Sequence, residues 1–203
     1  MIGKEVFAFL QDLERNNSKA WFDKNRKRYE KDIKGPFRAF CEELIAGIKL
    51  RPTAFPGLGA ERIASIPDAA KEAVMRINRD LRFTKDKTPY HTYLRAAFVP
   101  GGRKSGNAGL YLTIEPDSAG AGGGVYKAPR ATPPGLPRLE GVELKPEYRQ
   151  GVDAAAENGV KKGAAVVAIV SLTPKQFTAL PDQITWVLDR FAEVAPLIGA
   201  LQD

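Results

Sequence analysis

Between residues 76 and 90 the chain reads RINRDLRFTKDKTPY, with cations and carboxylates at intervals that bring them within reach of one another. On an extended backbone successive side chains alternate between faces. Arg76, Asn78, Asp80 and Arg82 then share one side, and Ile77, Arg79, Leu81 and Phe83 the other. Guanidinium forks spaced in this way bind oxyanions, phosphate or carboxylate, through paired hydrogen bonds. The turn that follows adds Lys85, Asp86, Lys87 and Tyr90. Were the site catalytic, Asp80 or Glu115 is the best available base and Tyr90 or a lysine the acid. The same alternation has a purely structural reading. Arg–Asp neighbours across strands are ordinary stabilising pairs, and Arg79 on the apolar side suits a buried arginine holding a carboxylate or a carbonyl.

A second basic segment, KAWFDKNRKRYEKDIK at residues 19–34, carries seven Lys/Arg against three Asp/Glu. At helical spacing Trp21, Asn25 and Arg28 lie on one side, and Phe22, Arg26 and Tyr29 on the adjacent one. Asn25, Arg26 and Tyr29 join the candidate binding residues, closing the rim of a pocket built on 76–87. Interleaved aromatics and cations also suit a nucleic-acid surface, with Trp21 and Tyr111 as stacking rings. A plain amphipathic helix with aromatics inside and solvated lysines outside accounts for them as well. GAGGGV at 120–125 invites a phosphate-loop reading, but it lacks the Lys-Ser/Thr ending and precedes a strand-like segment instead of a helix. Closely approaching backbone, or a glycine hairpin after Glu115-Pro116, explains it equally.

Composition narrows the chemistry. Of 203 residues, 43% are hydrophobic and 27% charged, the balance of a water-soluble globular protein, and the net charge of +7 permits an anionic partner without requiring one. No apolar run approaches the roughly 20 residues needed to cross a bilayer, so no membrane partner is expected. The N-terminal helix carries charges where a secretory signal would be apolar, and a cytoplasmic location is expected. The one cysteine, Cys41, falls at an apolar helical position and reads as a buried, inert thiol. With a single histidine, His91, no zinc set of the usual kind is expected, no metal is assigned, and no cofactor is indicated.

The elements that must position these residues follow from periodicity. Helices are expected over 4–15, over 19–34 and from Pro36 to about residue 50, the last with Phe37, Phe40, Cys41, Leu44, Ile45 and Ile48 inward. Residues 51–73 read as a connection. Strands are expected at about 74–83, 93–99, 109–116 and 123–128. A proline-rich loop follows, then a helix around PEYRQGVDAAAENG and the most apolar strand, AAVVAIVSL. TPKQ starts a helix with Thr173 as cap, and Pro196 is expected to kink the last one. The prediction is a single α+β domain over 1–203: a helical segment at 1–50, the main sheet at 74–128, and a C-terminal part at 129–203 with one strand and helices. Its antiparallel sheet of about five strands is flanked by N-terminal and C-terminal helices.

NNSKAWFDKNRKRYE, RINRDLRFTKDKTPY, YLTIEP and GGGVY, in this order and spacing, resemble the uncharacterised family called domain of unknown function 2461, over residues 5 to 128. The resemblance points at Trp21, Phe22, Asn25, Arg26 and Tyr29 in the second helix. In the later segment it points at Arg76, Asn78, Arg79, Asp80, Arg82, Phe83, Lys85, Asp86, Lys87, Pro89 and Tyr90. It brings no activity with it. Where the family tends to have lysine this chain has His91, and after Gly124 the chain looks shortened, which would deplete a site built partly from that half. Three functions are then in play: a pocket for a phosphorylated or carboxylated small molecule, a nucleic-acid-binding module, and a scaffold or interaction domain in which the charged segment is an internal network.

Overall fold

The computed structural model describes residues 1–126, 145–148, 152–153 and 165–202. Helix α1 (Lys4–Arg15) buries Val6, Phe7, Phe9, Leu10 and Leu13 along one stripe. The chain turns at Asn16-Asn17, and Ser18 caps α2 (Lys19–Arg28) by accepting a hydrogen bond from the Trp21 N–H at 3.3 Å. α2 runs straight into a π-helical turn, Tyr29–Lys34, and then into α3 (Gly35–Leu50). Pro36 explains the wide turn: without an N–H, and with a ring that crowds the carbonyl four residues back, it cannot continue an α-helix unaltered. The α3 stripe is the expected one, Phe37, Phe40, Cys41, Leu44, Ile45 and Ile48 all being buried. Burial also pushes the Cys41 thiol pKa up, leaving it a packing group.

Residues 51–73 hold a short 3₁₀ turn (Pro52–Ala54) and two short helices, α4 (Ala60–Ala64) and α5 (Ala70–Ala73). The sheet has four strands, β1 (Leu94–Phe98), β2 (Gly109–Ile114), β3 (Ala119–Val125) and β4 (Val166–Leu172), in sequence order and antiparallel throughout. Thr173 and Gln176 form the expected capping box of α6 (Pro174–Thr178). α7 (Gln183–Gln202) continues through Pro196 and packs across β2 and β3 and against α3. Leu94, Ala96, Phe98, Leu110, Leu112 and Ile114 face the helices, while Arg95, Ala97, Tyr111 and Thr113 face the other way. Among the described residues no helix is long and apolar enough to cross a membrane.

Two strand expectations are corrected. Segment 74–83 is not a strand, and among the described residues the sheet has four strands where about five were expected. It touches the sheet at two isolated bridges, Val74 with Ala96 and Asn78 with Tyr90. Three residues separate the bridges on one side and five on the other, so no continuous ladder fits and residues 91–95 bulge. Single bonds hold the rest: Met75 N–H to the Arg95 carbonyl (2.8 Å), His91 N–H to that of Ile77 (2.8 Å) and Arg79 N–H to that of Pro89 (3.0 Å). Beyond Arg79 the chain leaves the sheet, and Phe83, expected inward, is 91% exposed.

The glycine run is no phosphate loop but the body of β3, the second arm of a hairpin that turns at residues 115–118; the strand begins at Ala119 and not at 123. A Cβ at Gly123 would stand 2.6 Å from Ile198 Cδ1 of α7, and one at Gly120 would stand 2.7 Å from Ser171 Oγ of β4. At Gly122 it would overlap the Ala168 carbonyl. Glycine is what lets β3 lie this close to both neighbours. The proline-rich loop and most of the helix expected around PEYRQGVDAAAENG lie outside the described residues; of the latter, Tyr148 and Val152 are buried.

Candidate functional site

The join between α2 and the 74–90 segment is built by Asn17, from the NNS break between the first two helices. Its side-chain amide accepts from the Tyr90 N–H (3.1 Å) and donates to the Tyr90 carbonyl (2.8 Å), as a neighbouring strand would. The Tyr90 ring then stacks on Phe22, with centroids 4.0 Å apart at 18°. Replacing Asn17 by alanine strands both backbone groups. The expected cost is about 1–2 kcal/mol, read as a melting temperature lower by about 3–6 °C in a calorimetric scan.

Between α2, the π turn, α3, α5, residues 74–78 and the turn after β1 lies a cleft of about 620 Å³. Its charged walls carry seven cations and one carboxylate. Two cations are neutralised locally, Arg26 by Asp23 and Lys34 by Glu30, each at 2.6 Å. Arg103 donates through Nε to the Glu72 carbonyl, leaving its terminal nitrogens uncommitted. Arg38, Lys71, Arg76 and Lys104 are exposed, and among the described residues none of them has a hydrogen-bond or ion-pair partner. The floor is apolar: Phe22, Ile77 and the ring of Tyr29. Burial, with Glu30 beside it, pushes the Tyr29 phenol up to about 12, so it stays protonated and able to donate at neutral pH.

The sequence-predicted residues divide here. Arg76 and Asn78 line the cleft together with Arg26 and Tyr29 from the second basic segment. Asn25 is spent on the Trp21 carbonyl of its own helix (2.9 Å). Past Asn78 the charges pair off inside a surface loop. Arg79 binds Asp86 (2.5 Å) and the Thr88 carbonyl and hydroxyl. The Thr88 N–H and Arg79 together hold the Asp86 carboxyl down to about 2. Arg82 chelates Asp80 through Nε and a terminal nitrogen (3.0 and 2.7 Å), which lowers the Asp80 pKa and removes it as a base. Both side chains are largely exposed, where an ion pair contributes little to stability. Lys87 donates to the Leu81 carbonyl at 2.9 Å, and Lys85 is exposed. Arg76, Asn78 and residues 79–82 also border a shallow hollow of about 540 Å³ that adjoins the cleft.

Glu115 lies elsewhere, in a separate acidic recess with Glu14 and Asp117, 3.9 Å from Arg95. Among the described residues no cluster of histidine, cysteine or carboxylate side chains has the arrangement of a metal site. The two rings assigned to base stacking are not free platforms. Trp21 is half-buried against Phe9, and Tyr111 is 4% exposed. Burial and the guanidinium groups of Arg79, Arg95 and Arg76 lower the His91 pKa, so a cationic side chain at that position is disfavoured.

Arg38, Lys71, Arg103 and Lys104 were not among the sequence candidates. A signal existed for the first: Arg26, Glu30, Lys34 and Arg38 recur every four residues, the spacing of a charged stripe along one helical face. GGRKSG, two cations between glycines directly after a strand, marks an exposed basic turn at a sheet end. Nothing local in AAKEAV distinguishes Lys71 from any solvated lysine.

The family model described as conserved hypothetical protein (DUF2461) matches residues 5–188, through and beyond the segment that looked shortened. No curated protein and no solved structure matches the chain.

Proposed function

We propose, for a chain that belongs to the DUF2461 family of conserved hypothetical proteins, that the cleft between α2, α3 and residues 71–78 binds a small anionic ligand. One observation carries the reading: four cations from four different segments, Arg38, Lys71, Arg76 and Lys104, line one concavity and have no hydrogen-bond or ion-pair partner among the described residues. Like charges gathered without counter-ions repel one another. A site that keeps them together loses that repulsion when an oxyanion enters. The volume is that of a small-molecule site, and the apolar floor with Tyr29 as donor gives an anion direction as well as charge. No residue of the cleft is placed to act as a base: its one carboxylate, Glu30, is held by Lys34. The proposal is therefore binding, with no reaction assigned.

Isothermal titration with glycerol phosphate and with citrate tests it. Arg76→Ala is expected to weaken binding about tenfold, and Arg76→Glu about a hundredfold, as a charge-assisted hydrogen bond of roughly 1.5–3 kcal/mol is lost or reversed. The melting temperature should not fall, because Arg76 has no hydrogen-bond or ion-pair partner to abandon among the described residues. A fall in stability without a change in binding would instead favour a structural role. Binding of single-stranded DNA at low salt, with a steep loss as salt rises, would move the reading to a nucleic-acid surface.

A further inference from the structure

The anion-binding cleft does not end at its cations. Met75, Arg103 and Lys104 line it and also line a second hollow of about 460 Å³ on the outer face of the sheet, so the two adjoin. The second hollow has a different character. Ala97, Val99, Tyr111, Val125 and Tyr126 form its walls, and Tyr111 and Tyr126 meet edge to face with centroids 4.5 Å apart. At its side the Arg95 guanidinium lies over the Tyr93 ring at 4.4 Å and the Tyr126 ring at 5.2 Å, which fixes its plane. Among the described residues, the buried side-chain polar atoms without a hydrogen bond are Arg95 Nε and Thr113 Oγ1. They belong to directly opposed residues of β1 and β2 on this same face. The protein has thus set an aromatic, partly unsatisfied polar surface beside a cationic one, joined at Met75 and the 103–104 turn.

We infer, building on the anion-cleft reading, that the ligand is an organic phosphate whose other end is a flat, uncharged ring. The phosphate lies among Arg38, Arg76, Arg103 and Lys104, and the ring lies in the sheet-face hollow against Tyr126. A cationic cleft alone would accept any small dianion. The adjoining hollow adds selectivity, because only a ligand with an apolar face gains by filling it. Electrostatics is then common to all phosphates, and the ring sets the preference among them. An acyclic, hydroxyl-bearing phosphate leaves the aromatic half unused and binds more weakly by that amount.

The test is isothermal titration of the full chain with glycerol phosphate, phenyl phosphate and 2-naphthyl phosphate, repeated on Tyr126→Ala and Arg76→Ala. The expected order is 2-naphthyl over phenyl over glycerol phosphate, with at least tenfold between the ends. Tyr126→Ala should compress that range to within about threefold and leave glycerol phosphate unchanged, whereas Arg76→Ala should weaken all three alike. Tyr126→Leu, which keeps apolar bulk but no ring, should give an intermediate range and serves if the alanine variant does not fold. Arg76-dependent binding of all three with equal affinity would overturn this inference and leave the anion cleft standing. No binding of any phosphate would overturn both. A ring preference that survives loss of the Tyr126 ring would place the ring elsewhere and also overturn it.

Discussion

An alanine at position 122 is expected to cost about 4 kcal/mol or more, near the upper end of what one methyl group can do. Gly122 is central in β3, paired with Tyr111 of β2 on one side and Ile169 of β4 on the other. The added Cβ would overlap the Ala168 carbonyl and stand 2.8 Å from the Ile169 Cα. Those atoms are backbone, so no rotamer change relieves the overlap; β3 and β4 must part or the ladder must slip. A slip by one residue turns Ala119 and Ala121 out of the core, so neither escape is cheap. Gly106 is the control. Its φ of +81° disfavours a side chain, but a Cβ there meets nothing within 4 Å, and alanine should cost only about 1 kcal/mol. Thermal denaturation of the pair should show a loss of about 8–16 °C for Gly122→Ala and a few degrees for Gly106→Ala. Equal losses would mean that backbone conformation, and not the closeness of β3 to β4, explains the glycines.

What could be read from the sequence depended on how local its cause was. Helical stripes are set by residues three and four apart, so α1 was legible in its bounds and α3 with its buried residues, as was the Thr173/Gln176 cap. The glycines of β3 allowed a close-approach or hairpin reading, but what they approach was hidden because it is distant: Ala168 and Ile198 are more than forty residues away in sequence. Alternation at 76–83 failed for a related reason. Its period of two matches a strand, but the partner has two residues too many, and this becomes visible only once Val74 and Asn78 find Ala96 and Tyr90. The candidate site was legible as two basic segments and not as one surface. Arg76, Asn78, Arg26 and Tyr29 meet in the cleft, whereas the most conspicuous charges, at 79–87, are absorbed by their own loop. Dense local charge of mixed sign tends to neutralise itself. The cations left available for a ligand are those that no carboxylate among the described residues reaches in space, whatever stands beside them in sequence (Glu72 follows Lys71), and that condition is invisible in the chain.

Replacing Glu193 by alanine is the other substitution expected to be severe. Glu193 lies on α7 with 17% of its side chain exposed and takes three partners: Arg190 (2.5 and 2.6 Å), Lys145 (2.5 Å) and the buried Tyr148 hydroxyl (2.6 Å). Burial opposes its charge, yet hydrogen bonds from Arg190, Lys145 and Tyr148 bring its pKa down to about 2. Tyr148 is 1% exposed, so removing the carboxylate leaves a buried hydroxyl and a partly buried guanidinium without their acceptor. The cost should be about 2–3 kcal/mol, or about 5–10 °C in melting temperature. Glu193→Gln, which keeps an acceptor but no charge, should recover part of it. The pH dependence follows from the direction of the shift. The folded protein holds this carboxyl below its ordinary value of 4.5, so the unfolded chain binds the proton more readily. The contribution is then complete above about pH 4.5 and is lost as pH falls towards 2. Wild type should therefore lose stability through that window more steeply than Glu193→Gln, in parallel denaturation curves at pH 6, 4.5 and 3. Parallel loss in the two proteins would mean that the network holds residues 145–148 against α7 by packing alone, with the charge of Glu193 contributing nothing.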